Sequence, residues 1–336
     1  MEDILLSIRD LSVQYNTRLG VLDAVDSVSF DIKRGEVLGL VGESGCGKST
    51  LGKALLRMIP EPGHITSGEL LFFGAKDTWF EGTDLMLLND DQIRQVRGKY
   101  ISMVFQDPMT SLNPVQKIVD HLTETIKTHE PQVSDKAARA RAEELIDRLG
   151  IRPERIDDYP HQLSGGMRQR VMISLALSLR AQLVIADEAT TSLDVIVEAQ
   201  FLDLLRELCA EFGLTILLIT HNIGIVAQLA NRVAVMYAGR LAELGDVLQV
   251  FDSPMHPYAE GLLNAVPHIK LMDDDLYKMP GAPPNLIHPP AGCRFHPRCP
   301  HVMPICATDT PPLVKFENEH MTACWLHDEK VMQRKS

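Results

Sequence analysis

The stretch Gly42-Glu-Ser-Gly-Cys-Gly47-Lys48-Ser49 has the spacing G-x-x-x-x-G-K-S, and the chemistry open to that set is the grip of a polyphosphate. Gly42, Gly45 and Gly47 let the backbone turn, so that N–H groups, those of Ser44 and Cys46 among them, face one concavity. A β-phosphate fits there with the positive end of the helix that follows. Lys48 adds a point charge near the β- and γ-phosphates; Ser49, followed by Thr50, offers a hydroxyl to Mg²⁺. The plain alternative is a glycine-rich turn that matches by chance. The flanks argue against it: Glu36 to Val41 reads as a buried parallel strand, and the segment after Lys48 reads as a helix to about Ile59, stopped by Pro60.

A second apolar run, AQLVIADEAT, ends in Asp187 and Glu188. Carboxylates at the carboxyl end of a neighbouring parallel strand stand where Mg²⁺ and an attacking water would sit. Asp187 is the candidate metal-side ligand and Glu188 the candidate base for water. By itself such a strand end could equally be a solvated terminus.

Between these elements lies LSGGMRQR, Leu163 to Arg170, and on this stretch the chain resembles the ATP-binding subunits of ABC transporters. Ser164, Gly165 and Gly166 open a helix and offer N–H groups and a hydroxyl at its positive end. An ordinary serine cap explains Ser164 but not the paired glycines. The resemblance implies that this loop completes the γ-phosphate site of an opposite subunit, so that two nucleotides are sandwiched in a head-to-tail pair. It also implies roles for single positions: Tyr15 stacking on adenine, Gln106 in VFQDP touching Mg²⁺ or the lytic water, Asp194 in Ser192-Leu193-Asp194 as a dimer contact, and His221 after LTILLIT contacting the γ-phosphate. Two positions depart from the family pattern: Ala189 stands where proline is usual and Asn222 where aspartate is common. Neither removes a group that touches phosphate; backbone rigidity after Glu188 is the property they put in question.

The elements that must hold these residues follow from composition and periodicity. The chain has 336 residues, 45% hydrophobic and 23% charged, which is the balance of a globular protein with room for more than one domain. ILLSIRDLSVQY and LDAVDSVSFDI alternate as strands of an antiparallel sheet. From about 107 to 179 the character turns helical; SDKAARARAEELIDRLG carries Ala138, Ala142, Leu145, Ile146 and Leu149 at helical spacing and ends at Gly150. After Glu188 helices and strands alternate. The expected fold class is α/β: a P-loop (RecA-like), mostly parallel sheet with an antiparallel β subdomain, a helical subdomain and a Cys-rich metal-binding C-terminal extension. The division expected is 1–250 for the ATP-binding domain and 251–336 for the extension.

Net charge is −12 and there is no dense Lys/Arg run, so the electrostatic footprint of a nucleic-acid or lipid-surface binder is missing. Apolar runs fall short of the ~18 residues that span a bilayer, and the amino terminus lacks the pattern of a cleaved leader. The expectation is a protein at the cytoplasmic face of the membrane, held there by partners.

FQDPMTSLNP (Phe105 to Pro114), HPYAEGLL from His256 and the Pro-rich PGAPPNLIHPPAGC bring the resemblance closer, to the ATPases of dipeptide and oligopeptide importers. It covers nearly the whole chain. The partners it implies are two transmembrane permease subunits, a second ABC ATPase that is either a related chain or another copy of this one, and, indirectly, an external solute-binding protein. The Pro-rich segment reads as a semi-rigid spacer that delivers the cysteines as a separate unit.

Cys293, Cys299, Cys306 and Cys324 are separated by five, six and seventeen residues. Four thiolates suit a [4Fe-4S] cluster or tetrahedral Zn²⁺. Structural zinc usually uses pairs two to four residues apart, which neither short gap provides, and the resembled importers carry a cluster at matching cysteines. Seven of the twelve histidines lie beyond residue 250, which leaves a mixed Cys/His site open. A tail too short for a core of its own would then fold around metal.

Two rival functions share this sequence logic: a soluble ABC-type ATPase of translation or DNA repair, and a non-catalytic metal-sensing regulator. The first should show paired ATPase domains or a long coiled-coil insertion, and the chain has neither. The intact lysine and acids argue against the second.

Overall fold

The computed structural model describes residues 3–74, 78–105, 111–189, 195–265 and 279–328. The chain forms two compact units. One comprises Met1–Leu6, Ile32–Gly35 and Phe72–Leu218; the other comprises Ser7–Asp31, Glu36–Leu71 and Ile219–Ser336. We call them the helical unit and the phosphate-loop unit.

The chain opens with β1 (Ile4–Thr17) and β2 (Gly20–Lys33), in which buried and exposed positions alternate as the sequence pattern requires. The Asp10 amide donates to the Ser29 hydroxyl at 2.8 Å and the Ser27 amide to the Ser12 hydroxyl at 3.0 Å, so the two strands run antiparallel. In β3 (Val37–Val41) every residue is buried, the signature of a strand covered on both faces. It leads into the glycine loop and α1 (Lys48–Leu55). The helix ends four residues short of Ile59, because Leu56 leaves helical geometry and Arg57 adopts a left-handed φ of 51°. β4 (Gly63–Phe72) then lies beside β1, giving the order β2-β1-β4.

The helical unit continues through β5 (Thr83–Asp84), α2 (Asp90–Val96), β6 (Ile101–Val104), α3 (Ile118–His129), α4 (Asp135–Arg148) and α5 (Gly165–Leu177). Ser134 caps α4 by accepting from the Ala137 amide, and Ala138, Ala142 and Ile146, four apart, form its buried stripe. β7 (Leu183–Asp187) pairs with β6 in parallel, with Ile101 opposite Leu183 and Val104 opposite Ala186. α6 (Val195–Phe212) and β8 (Thr215–Ile219) follow.

Back in the phosphate-loop unit come α7 (Ile223–Leu229), β9 (Arg232–Tyr237), β10 (Arg240–Asp246), α8 (Val247–Asp252), α9 (Pro257–Asn264), α10 (Pro304–Thr308), β11 (Val314–Lys315) and β12 (Met321–Thr322). β9 pairs in parallel with β3, Leu40 opposite Ala234, and folds back antiparallel on β10. β12 then pairs antiparallel with β10, Glu243 opposite Thr322. The strand order is therefore β11-β12-β10-β9-β3. The tail expected as a separate unit instead extends the sheet that carries the phosphate loop. Among the described residues no helix is long and apolar enough to cross a membrane.

Candidate nucleotide site

The glycines of the loop are fixed by close approach. A Cβ at Gly42 (φ 152°) would lie 2.1 Å from the Met236 carbonyl, and one at Gly47 (φ 105°) would lie 2.1 Å from the Ala24 carbonyl. The loop is thus wedged between β2 and β9, and only residues without a side chain fit. The Cys46 carbonyl accepts from the Gly239 amide at 2.8 Å, a further tie to the turn between β9 and β10. Cys46 itself is buried, and burial pushes its thiol pKa up in spite of the nearby Lys48 charge. It packs as a small hydrophobe, while Ser44 and Gly45 stand exposed at the mouth.

Lys48 is 5% exposed. Its ammonium donates to the carbonyls of Gly42 at 2.7 Å and Glu43 at 3.0 Å, so it bridges the loop from inside. Ser49 and Thr50 follow, half-buried, in the first turn of α1. The Thr220 amide donates to the Leu40 carbonyl at 3.2 Å, which sets the end of β8 beside the end of β3 and brings His221, exposed, to the side of the loop. Asn222 caps α7 by accepting from the Gly224 amide at 3.0 Å; an aspartate there would do the same, so the departure at this position leaves the local structure intact. Tyr15 is half-buried on β1, its ring against Gly63 and Ile59.

In the helical unit Asp187 is 2% exposed at the end of β7, and Glu188 follows with a left-handed φ of 47°. That conformation is uncommon for a residue with a side chain, and it turns Glu188 away from the strand direction. Ala189 is buried, so the smaller residue is packed where proline is usual. Ser164 caps α5 by accepting from the Met167 amide at 3.3 Å, with Gly165 and Gly166 in the first turn. Gln106 and Asp194 lie outside the described residues.

The Cys-rich segment packs within the phosphate-loop unit. Cys293 donates its amide to the Cys306 carbonyl at 2.9 Å, and Cys293, Cys299, Cys306 and Cys324 are all free thiols. Burial pushes Cys293 up to about 11 and Cys324 up to about 12, and raises Cys299 as well. Repulsion from the other three sulfurs adds to the rise at Cys324. Among the described residues, however, no group of three or more His, Cys, Asp or Glu is drawn together so as to hold a metal ion. The preformed metal cage expected of this extension, whether four cysteines or a Cys/His mixture, is not a feature of the geometry.

Several residues around the loop escaped the sequence reading. Arg298 reaches Glu43 with both terminal nitrogens, at 2.8 and 2.9 Å, and the Tyr258 hydroxyl accepts from the Glu43 amide at 2.8 Å. No spacing rule links positions 255 residues apart.

Residues 25–191 match the family model described as ABC transporter, and residues 242–306 match the oligopeptide/dipeptide transporter C-terminal region. The chain is 43% identical to the dipeptide transport ATP-binding protein DppD of Bacillus subtilis, over 97% of this chain and 96% of that one. It belongs to the ATP-binding subunits of ABC transporters. The oligopeptide transport ATP-binding protein OppD of Escherichia coli is likewise 43% identical, over 98% of this chain and 95% of its own length. Among solved structures, the dimeric bacterial ABC transporter cassette MJ0796 superposes with a TM-score of 0.64 at 25% identity, covering 72% of this chain and 99% of that one. The match of MJ0796 in a post-hydrolysis state with ADP and Pi is equivalent, with a TM-score of 0.63. The chain is therefore an ABC-type ATPase.

Proposed function

We propose that this chain is the ATP-hydrolysing subunit that energises import of dipeptides, oligopeptides or similar small solutes. The observation that carries the reading is the match of residues 242–306 to the oligopeptide/dipeptide C-terminal region, since the cassette alone would leave the solute open. The partners are two permease subunits, which hold the chain at the cytoplasmic face of the membrane, and a second ATPase, a related chain or a copy of this one. An external solute-binding protein acts indirectly, and no nucleic acid takes part.

In this reading the amides from Ser44 to Ser49 take the β-phosphate, Lys48 turns its donors to the β- and γ-oxygens, and Tyr15 stacks on adenine. Ser49, Gln106 and Asp187 hold Mg²⁺, which supplies charge neutralisation of the phosphates. Glu188 orients and deprotonates the attacking water, and His221 donates to the γ-phosphate. Ser164, Gly165 and Gly166 address the nucleotide of the opposite subunit, with Asp194 at the dimer contact. A Cβ at Gly165 would meet no described atom of this chain within 4 Å, so packing within the chain does not require the glycine, which is compatible with this role. Closure of the pair around two nucleotides moves the permease, and hydrolysis reopens it.

The four thiols complete the reading as ligands of a [4Fe-4S] cluster in preference to Zn²⁺. Their wide spacing in the sequence supports the larger group. The chain divides accordingly at about residue 250 into cassette and extension.

Reconstitution with the permease in vesicles tests the function. ATP-dependent uptake of a labelled dipeptide, lost on Lys48→Ala, is the expected result; ATP turnover with no peptide uptake would sink the solute assignment, and co-purification with ribosomes or DNA would favour the soluble rival. Anaerobic purification followed by iron, sulfide and zinc analysis tests the thiols; one zinc without iron would replace the cluster.

A further inference from the structure

We propose that Arg298, in the C-terminal extension, is a positioning residue for ATP binding: through Glu43 it holds the phosphate loop and cancels the one carboxylate built into it. The inference rests on the assignment of that loop to ATP.

Glu43 is the second residue of the loop, and all of its polar groups are engaged. The carboxylate accepts both terminal nitrogens of Arg298, the amide donates to the Tyr258 hydroxyl, and the carbonyl accepts from Lys48 at 3.0 Å and from the Cys46 amide at 3.3 Å. Two of these four partners belong to segments after residue 250. Because Tyr258 takes the Glu43 amide, that amide is turned away from a phosphate in the loop. The loop presents a phosphate site only while Glu43 keeps this posture, because the same residue anchors Lys48.

Arg298 is itself held on every side. Its side chain is 6% exposed, its Nε donates to the Pro280 carbonyl at 2.8 Å, and Nη1 also donates to the Tyr237 hydroxyl at 3.2 Å. The guanidinium carbon lies 5.8 Å from the Tyr237 ring centroid and 5.9 Å from that of Phe295. Those rings pack with Tyr258, at 4.5 Å for Tyr237 and 5.5 Å for Phe295. One aromatic cluster therefore orients both the arginine and the hydroxyl that hold Glu43. A fork held this rigidly transmits position, which a flexible lysine would not.

Docking of the extension does not require this pair. Arg294 donates to Asp26 at 2.6 Å, Arg240 donates to the Gly292 carbonyl at 3.3 Å, and the β10–β12 ladder ties the tail to the sheet. Arg298 instead ends on the loop, where an uncancelled carboxylate would repel a polyanionic nucleotide at close range.

The test is titration of the purified full-length chain with Mg²⁺ and a fluorescent ATP analogue, alongside thermal melting. Arg298→Ala should raise Kd about tenfold. Arg298→Lys should fall between, because it restores charge without the fork. Adding Glu43→Gln to Arg298→Ala should recover part of the loss by removing the bare carboxylate. Asp26→Asn, which weakens the carboxylate partner of Arg294 and Arg240 without touching Glu43, should leave Kd unchanged. Should Arg298→Ala fail to fold, Arg298→Lys carries the test and should still weaken binding, because it keeps the charge and loses the fork. A wild-type Kd in a folded Arg298→Ala chain, or an equal loss in Asp26→Asn, overturns the proposal. Lys48→Ala is the control for the underlying assignment: if it binds nucleotide as the wild type does, the loop is not the ATP site and that reading fails first.

Discussion

The Thr220 amide donates to the Leu40 carbonyl at 3.2 Å, and this one bond sets the strand end that carries His221 beside the strand that feeds the phosphate loop. His221 stands exposed there. Replacing it should therefore cost chemistry and spare the fold. His221→Ala should lower kcat of the assembled transporter by ~10² with nucleotide affinity within a few-fold of wild type. Steady-state hydrolysis paired with equilibrium binding checks this, and a loss confined to affinity would remove His221 from the reaction.

Glu188 follows buried Asp187 in a left-handed conformation at φ 47°, which an ordinary strand end has no reason to adopt. Such a posture persists where the surroundings over-determine it, as they do at sites of function. Glu188→Gln keeps the shape and removes the basicity, so ATP should still bind while turnover falls by ~10² or more. Near-normal hydrolysis by the variant in the assembled transporter would refute its role as base.

Gly165 separates the needs of the fold from those of a partner. It opens α5 with no left-handed φ, and a Cβ would meet open space among the described residues. By helix propensity alone, Gly165→Ala should leave the melting temperature unchanged or raise stability by up to about 1 kcal/mol. Hydrolysis should nonetheless drop at least tenfold, because in the proposed head-to-tail pair the added methyl faces the opposite subunit's triphosphate. Unchanged turnover at unchanged stability would mean that nothing docks against this loop.

The parts of this architecture that were legible in sequence are those set by neighbours in the chain. The glycine spacing from Gly42 to Gly47, the apolar runs of β3 and β7, and the stripe of Ala138, Ala142 and Ile146 are local patterns, and all form as read. What holds the loop in place was not legible. Ala24, Met236 and Arg298 converge on it from three distant segments, and Arg298 is no different in sequence from any other arginine beside a cysteine. The docking of the tail rests on β12, a strand of two residues too short to show a period. Cysteine spacing counts thiols but not the distances between them, so it does not say how closely the four sulfurs converge.

His256 gives the phosphate-loop unit a pH dependence with a definite sign. Its Nδ1 accepts from the Tyr258 amide at 3.0 Å, capping the helix that delivers Tyr258 to Glu43, and the ring is 4% exposed. Burial pushes its pKa down to about 4 from the ordinary 6.5, with the nearby His327 adding to the effect. Buried Glu243 accepts the backbone amide of His256 at 2.7 Å and the His320 ring nitrogen, also at 2.7 Å. Between pH 6.5 and 4 the unfolded chain takes up a proton that the folded one refuses. This contribution is therefore intact above pH 6.5 and is lost as pH falls toward 4, reaching about 3 kcal/mol at the acid end. His256→Asn keeps an acceptor for the Tyr258 amide and does not titrate. Urea midpoints measured from pH 7.5 to 4.5 should thus fall more steeply for wild type than for the variant, and parallel slopes would show that His256 is not the group responsible.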